Sequence, residues 1–273
     1  MEEFKNKIIC GDCLDVLSKI PPNSVDLIFA DPPFNIGIDY GENVNDNLSI
    51  EDYMLWITEW INYCHIVLKD TGSIYIMNIQ ENIWMFQKIL NDLGMIFRNT
   101  IVWKNSSMPV KNRFCINYQP IVYYVKSKNY TFNHKAENHI SRAAMPWSRV
   151  NKGNLMIDQW NDIPFISGGC MASKEAILKK GSKTKVHPTQ MPLRLADRII
   201  RFSSNEGDVV LDPFVGSGTT AVVAKMLKRN FIGIDISDEF CNISRDRLGN
   251  VNDQGFTGCL LKDGMSQPLF EME

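Results

Sequence analysis

Asp31-Pro32-Pro33-Phe34 directly follows the largely apolar run Val25–Ala30. That order delivers a carboxylate, two prolines and an aromatic ring to the end of a buried strand, the edge at which open α/β sheets bind ligands. These residue types suit one demanding task, the activation of an exocyclic amine on a nucleobase. Such an amine is a poor nucleophile because its lone pair is delocalised into the ring. Asp31 and a backbone carbonyl of the Pro32-Pro33 turn can each accept one N–H. The nitrogen then moves toward tetrahedral geometry and presents its lone pair to an electrophilic methyl. The prolines fix φ and bring no N–H to compete for those acceptors. Phe34 offers a face on which a base swung out of a duplex can stack. A strand closed by a Pro-Pro turn, with Asp31 as its cap, would account for the tetrapeptide taken alone.

A second segment narrows the choice. Residues 208–212 read as a strand, and Asp212-Pro213-Phe214-Val215-Gly216-Ser217-Gly218-Thr219-Thr220 reads as its end, a glycine turn and the start of a helix. Gly216 and Gly218 let the backbone turn sharply and approach a ligand closely. The helix opening at Thr219 aims unpaired N–H groups and its positive dipole end at an anion. Asn230–Asp235 reads as the next strand, again ending in an acid. Asp235 lies 23 residues after Asp212, near the spacing at which a Rossmann-type acid meets a ribose diol. A plain strand-turn-helix explains a glycine loop in isolation, but that account weakens beside the tetrad.

Together these residues resemble the amino-methyltransferases that move a methyl from S-adenosylmethionine to adenine N6 or cytosine N4 in DNA. The tetrad at 31–34 precedes the glycine loop at 212–220, the order of that family's β class, and the resemblance spans roughly residues 7–125 and 186–248. It implies a doubly wound, mostly parallel α/β sheet of the Rossmann-like methyltransferase type. It implies that Asp31, Pro32, Pro33 and Phe34 are catalytic, and that Asp12, Phe214, Gly216, Gly218, Thr219 and Asp235 bracket the cofactor, with Asp12 at its adenine. By the same resemblance Asp212 and the His187-Pro188-Thr189-Gln190 element lie near its methionine end, through His187, Thr189 and Gln190. A lysine commonly follows that glutamine, and this chain has Met191 instead. Asp-headed tetrads in the family go mostly with adenine and Ser-headed ones with cytosine, so the resemblance favours adenine N6. No metal is expected, since a sulfonium is already a strong electrophile. Double-stranded DNA is the implied partner, and the resemblance leaves a homodimer and a cognate restriction endonuclease open as further partners.

Size and charge fit this reading. The 273 residues suffice for one large domain, or one domain with an insertion. The hydrophobic share of 44% and charged share of 22% are those of an ordinary soluble globule, not a disordered or membrane chain. No apolar stretch approaches the roughly 20 residues of a membrane span. The acidic start, Met1-Glu2-Glu3-Phe4-Lys5, lacks the apolar core of a signal peptide. Seven cysteines without regular spacing point to a reducing cytoplasm rather than a disulfide framework. Cys10 and Cys13 form a lone C-x-x-C, half of what a structural zinc normally requires.

The net charge of −2 conceals an asymmetry. Residues 104–185 hold 14 Lys/Arg and 4 Asp/Glu, a balance of +10, against −12 for the remainder. A basic segment in an acidic protein predicts a face that meets a polyanion. Its DNA-contact candidates are Lys111, Arg113, Arg142, Arg149 and Lys152. The aromatics interleaved with them (Phe114, Tyr118, Tyr130, Phe132, Trp147 and Trp160) suit stacking or core packing.

The elements that must position these residues follow from periodicity. Strands are predicted at 7–10, 25–30, 72–77, 95–103 and 121–125, with a helical turn at 14–20 and helices at 81–90 and 193–202. Ser49 with Asp52 forms a capping signature. Ile50, Tyr53, Met54, Ile57, Trp60, Ile61, Cys64, Val67 and Leu68 then follow helical spacing and read as core. Residues 35–48, polar and without an apolar period, read as a mobile loop beside the tetrad. From about Ser106 to Val186 the α/β rhythm fades. The expected organisation is therefore a catalytic half at 1–126, a target-recognition insertion at 127–185 whose basic character begins near 104, a cofactor half at 186–248, and a tail at 249–273. Adenine-N6 methylation of double-stranded DNA with base flipping is the favoured function. Cytosine-N4 methylation, methylation of RNA or protein amides, and an idle DNA-binding protein that keeps the fold are the alternatives.

Overall fold

The inner strands of the central sheet are buried on both faces, and their side chains divide between two cores. In the computed structural model, which describes residues 1–38, 45–108, 111–112, 114–134, 156–166, 175–177, 189–252 and 255–256, Leu27 and Phe29 join one core. Ile28 and Ala30 join the other. Tyr75 and Met77 alternate with Ile74 and Ile76 in the same way. This is the period of two expected for a strand covered by helices on either side.

The chain runs β1 (Lys7–Cys10), α1 (Cys13–Leu17), β2 (Val25–Ala30), α2 (Ile50–Val67), β3 (Leu68–Met77), α3 (Ile83–Asp92), β4 (Ile96–Met108), β5 (Ile116–Val125), β6 (Gln159–Trp160), α4 (Leu193–Ser203), β7 (Val209–Asp212), α5 (Thr219–Met226), β8 (Asn230–Asp235) and α6 (Asp238–Gly249). Among the described residues, eight strands form one sheet in the order β1-β8-β7-β2-β3-β5-β4-β6. Only β5 runs antiparallel to its neighbours. Helices α1, α2 and α3 cover one face, and α4 and α5 cover the other. The expected doubly wound, mostly parallel sheet is the fold observed.

Helix α2 begins as its sequence predicts. The Ser49 hydroxyl accepts the Asp52 N–H at 3.0 Å and donates to the Asp52 carboxylate at 2.8 Å. The apolar stripe is mostly core, but two of its members differ from expectation: Ile50 is exposed, and Leu68 is already the first residue of β3. Two further differences matter for the site. Gln159 and Trp160, inside the stretch where the α/β rhythm fades, add the eighth strand by pairing with Val102 and Trp103. Trp160 is buried there with Arg198 stacked over its ring at 5.1 Å, so it is a core residue and not a stacking surface. The loop after the tetrad is tied down at both ends. The Asp46 carboxylate accepts the N–H groups of Asn35, Ile36 and Ile38 at 2.6, 3.2 and 2.8 Å, and Asn35 exchanges side-chain hydrogen bonds with the Leu48 backbone. Past α6, Val251–Asn252 pairs with Gly255–Phe256 in a small antiparallel ribbon. No helix among the described residues is long and apolar enough to cross a membrane.

Candidate active site

Four adjacent parallel strands, β1, β8, β7 and β2, each deliver an aspartate to the sheet's carboxyl edge: Asp12, Asp235, Asp212 and Asp31. Between β7 and β2 the winding reverses direction, which opens the crevice where doubly wound sheets take their ligands. Leu27 and Ile28 pair with Val210 and Leu211, so Asp31 and Asp212 leave neighbouring strand ends together. All four aspartates line one cavity of about 260 Å³.

The carboxylates differ in what already holds them. Asp12 caps α1 by accepting the Leu14 N–H at 2.8 Å. The two oxygens of Asp235 accept the N–H groups of Gly216 and Ser237, both at 2.9 Å. Burial raises the Asp235 pKa above its ordinary value, and those two hydrogen bonds work against the rise. Asp212 accepts the Phe214 N–H at 3.0 Å, yet burial still pushes its pKa up to about 7. Asp31 has the least support. Its residue keeps some surface, but Oδ1 is sealed from solvent and no described group hydrogen-bonds it. Burial, and then the nearby Asp212 carboxylate, holds its carboxyl well above the usual range.

The backbone around Asp31 is held by its neighbours. The Tyr53 hydroxyl donates to the Pro33 carbonyl at 2.7 Å, and Asn82 Nδ2 donates to the Phe34 carbonyl at 2.7 Å. Among the described residues no donor reaches the Pro32 carbonyl. Phe34 itself is 7% exposed and does not line the cavity, so its face is not presented there as the sequence suggested. The cavity's aromatic surface comes instead from Tyr53, Trp56, Phe214 and Phe240. Trp56 meets Tyr53 at 5.8 Å and Phe214 at 5.6 Å between ring centroids. Helical spacing places Tyr53 in the core and leaves Trp56 outside the apolar stripe. The one available signal was a hydroxyl-bearing ring in an otherwise apolar stripe.

The glycine loop does two jobs. Gly218 has φ +85° and precedes α5, and a Cβ there would come within 2.8 Å of the Ser244 Cβ and Oγ. Its close approach is thus to α6, not to the cavity, which it does not line. Gly216 does line the cavity, at φ 51°. Thr219 lines it too, although its hydroxyl donates to the Met191 carbonyl and accepts from Arg247, both at 3.2 Å. Thr189 and Gln190 reach the cavity as well, with Gln190 also fastening residues 175–177: it accepts the Ile177 N–H at 2.9 Å and donates to the Glu175 carbonyl at 2.7 Å. His187 lies outside the described residues, as do Arg113, Arg142, Arg149 and Lys152. Lys111 is described and exposed. The two thiols of the C-x-x-C pair take separate paths: Cys13 is buried, and Cys10 donates to the Asp238 carboxylate at 3.0 Å.

Fold and cavity define a doubly wound α/β protein with its cavity at the switch point between β7 and β2. The N6/N4 DNA methylase family model matches residues 25–246, and the chain belongs to that family. The type II methyltransferase M.HpaI of Haemophilus parainfluenzae is 36% identical over 252 residues, covering 89% of this chain and 74% of the relative. The DNA adenine methyltransferase YhdJ of Escherichia coli strain K12 is 39% identical over 252 residues, covering 88% of this chain and 82% of the relative. Among solved structures, the M1.HpyAVI–SAM complex superposes with a TM-score of 0.62 at 25% identity, covering 89% of this chain and 98% of that one. The cytosine-N4-specific PvuII DNA methyltransferase shares the fold, with a TM-score of 0.67 at 20% identity over 87% of this chain and 84% of that one. The expected family and enzyme class, DNA methyltransferase, are those found.

Proposed function

We propose that this chain methylates adenine N6 in double-stranded DNA, taking the methyl from S-adenosylmethionine and acting on a base swung out of the helix. The carrying observation is the buried, unpaired Asp31 Oδ1 in a cavity at the switch point. A buried acceptor without a donor costs about 1–3 kcal/mol, so the site is built for a donor that arrives with its ligand. An exocyclic amine has two N–H groups to give. Asp31 takes one, and the Pro32 carbonyl takes the other: Pro32 is buried just behind the cavity lining, and its neighbours at 33 and 34 are already engaged.

The remaining cavity residues fit the cofactor. S-adenosylmethionine supplies an electrophilic methyl on a positively charged sulfur. Burial holds a proton on Asp212, and a bound cation favours its loss, leaving a carboxylate to pair with the sulfonium. Asp235, with lone pairs left after its two backbone bonds, has room for ribose hydroxyls. Tyr53, Trp56, Phe214 and Phe240 provide apolar surface for flat rings. When the amine gains its methyl it becomes acidic, and its proton leaves to Asp31 or to water.

Around this site the organisation at 1–126, 127–185, 186–248 and 249–273 stands as part of the proposal, with the basic middle segment choosing the target. A cognate restriction endonuclease, a homodimer and a cytoplasmic location rest on the family resemblance and on the type II relatives. Expression in a methylation-free host, followed by digestion of its DNA to nucleosides and mass spectrometry, tests the activity. N6-methyladenine is the expected product. N4-methylcytosine alone would move the assignment to the other amine, and unmodified DNA would overturn it.

A further inference from the structure

The geometry points to the Tyr53 hydroxyl, as distinct from the ring that lines the cavity, as a positioning group for methyl transfer, acting through the Pro33 carbonyl and itself held by Asn78. The inference rests on the proposed activity. The Tyr53 hydroxyl, on the first turn of α2, donates to the Pro33 carbonyl at 2.7 Å and accepts from Asn78 Nδ2 at 3.2 Å. Asn78 is fully buried directly after β3, and its Oδ1 accepts the Ile79 N–H at 2.9 Å. A short uncharged relay therefore runs from the end of β3, through α2, to the turn that follows β2. Asn82, the N-cap residue of α3, makes no capping bond with its side chain and spends its amide on the Phe34 carbonyl instead.

The prolines give the relay its importance. With no N–H at 32 or 33, those two residues offer no backbone donor, and the turn is held through the carbonyls of Pro33 and Phe34 and, just beyond it, through the Asn35 N–H on Asp46. Tyr53 and Asn82 hold two successive carbonyls, which sets the peptide planes on the carboxyl side of Pro32 and leaves the Pro32 oxygen as the uncommitted acceptor. Orientation at this scale governs rate, because an amine misplaced by a fraction of an ångström no longer presents its lone pair to the methyl.

The test uses the full chain with Tyr53→Phe, which keeps the ring in the core, and Asn82→Ala as an independent second variant. Single-turnover methyl transfer, cofactor affinity by calorimetry, and flipping of a 2-aminopurine placed at the target base are measured for each. Losing one neutral hydrogen bond that acts only on geometry should slow methyl transfer roughly tenfold. Cofactor affinity and the flipping signal should stay at wild-type values. A wild-type rate in both variants, or losses of rate, affinity and flipping in equal proportion, would overturn the positioning role. A wild-type protein that transfers no methyl to DNA would instead overturn the activity itself, and this inference with it.

Discussion

Asp31 and Asp235 sit at the same edge of the same sheet, and the protein treats them in opposite ways. Asp235 spends both oxygens on backbone N–H groups, one from the glycine loop and one from the approach to α6. It is part of the scaffold before any ligand comes. Asp31 has a buried oxygen with no partner among the described residues, while the backbone around it is clamped by Tyr53 and Asn82. A carboxylate already satisfied makes a reliable holder, and an unsatisfied one gains most from a ligand that supplies the missing donor. The holding end of the cavity is thus preorganised by hydrogen bonds, and the reacting end by the unmet demand for one.

Substitution at the reacting end should show the largest effect. Asp31→Ala should lower single-turnover methyl transfer about a hundredfold or more, as loss of a preorganised group at the reacting atoms does elsewhere. Cofactor affinity should barely move, because Asp31 belongs to the β2 end and not to the glycine loop. A variant that binds cofactor normally and transfers methyl at near the wild-type rate would erase the distinction between the two ends.

At the holding end the pattern should invert. Asp235→Ala should weaken S-adenosylmethionine binding at least tenfold, equivalent to about 1.5–3 kcal/mol for charge-assisted hydrogen bonds. DNA affinity should stay unchanged. The melting temperature should also fall, because Gly216 and Ser237 lose their acceptor. Calorimetry showing wild-type cofactor affinity would remove Asp235 from the site.

Asp212 lies between the two ends, and pH separates its contribution. Its folded pKa of about 7 exceeds the unfolded value of about 4. Between those values the folded protein keeps a proton that the unfolded chain has lost. The contribution of Asp212 to stability is therefore greatest below pH about 4 and is lost as pH rises through about 7. Asp212→Asn cannot lose a proton, so the ligand-free variant should gain in melting temperature relative to wild type across that window. A difference between the two proteins that stays flat from pH 4 to 8 would mean that Asp212 is not held protonated. Binding of the cationic cofactor near pH 6 should release protons, which calorimetry in buffers of different ionisation enthalpy measures directly.

Much of this site was legible because it is built from strand ends. An apolar run followed by an acid fixes both a buried strand and the place where its carboxylate emerges, which is why Asp31, Asp212 and Asp235 could be placed by spacing. The Ser49–Asp52 cap was legible for a similar reason, since all its partners lie within four residues. What escaped depends on contacts between distant segments. Asp46 is one acid in a polar loop until its carboxylate meets the N–H groups of Asn35, Ile36 and Ile38. Tyr53 occupies a core position by period, and only the approach of Pro33 reveals its hydroxyl's use. A glycine loop implies close approach, and at Gly218 the spacing points that approach at the ligand. The sequence does not say that the approaching group is Ser244 on α6.

The smallest effect should come from a residue that belongs to neither end. The register shows where it lies: Met77, the last residue of β3, pairs with Ile121, while Lys104 pairs with Tyr118 and Met108 with Ile116. Strands β4 and β5 therefore continue as a two-stranded ribbon past the carboxyl edge, the side on which the cavity opens. Lys111 stands exposed in the connection between them, and Phe114 is 98% exposed in the same connection. A lysine on such an arm, within the segment that carries the +10 balance, meets phosphate if DNA lies over the cavity. Each phosphate neutralised contributes about 0.9 to the fall of log affinity with log salt. Lys111→Ala should therefore flatten that slope by about one, weaken all DNA sequences alike, and leave both cofactor affinity and the single-turnover rate on bound DNA unchanged. If Lys111 instead reads a base, its loss relaxes one position of the target at a cost of roughly 1–3 kcal/mol. An unchanged slope together with an unchanged target preference would show that the DNA does not reach the ribbon, and the basic face would have to be sought elsewhere in residues 104–185.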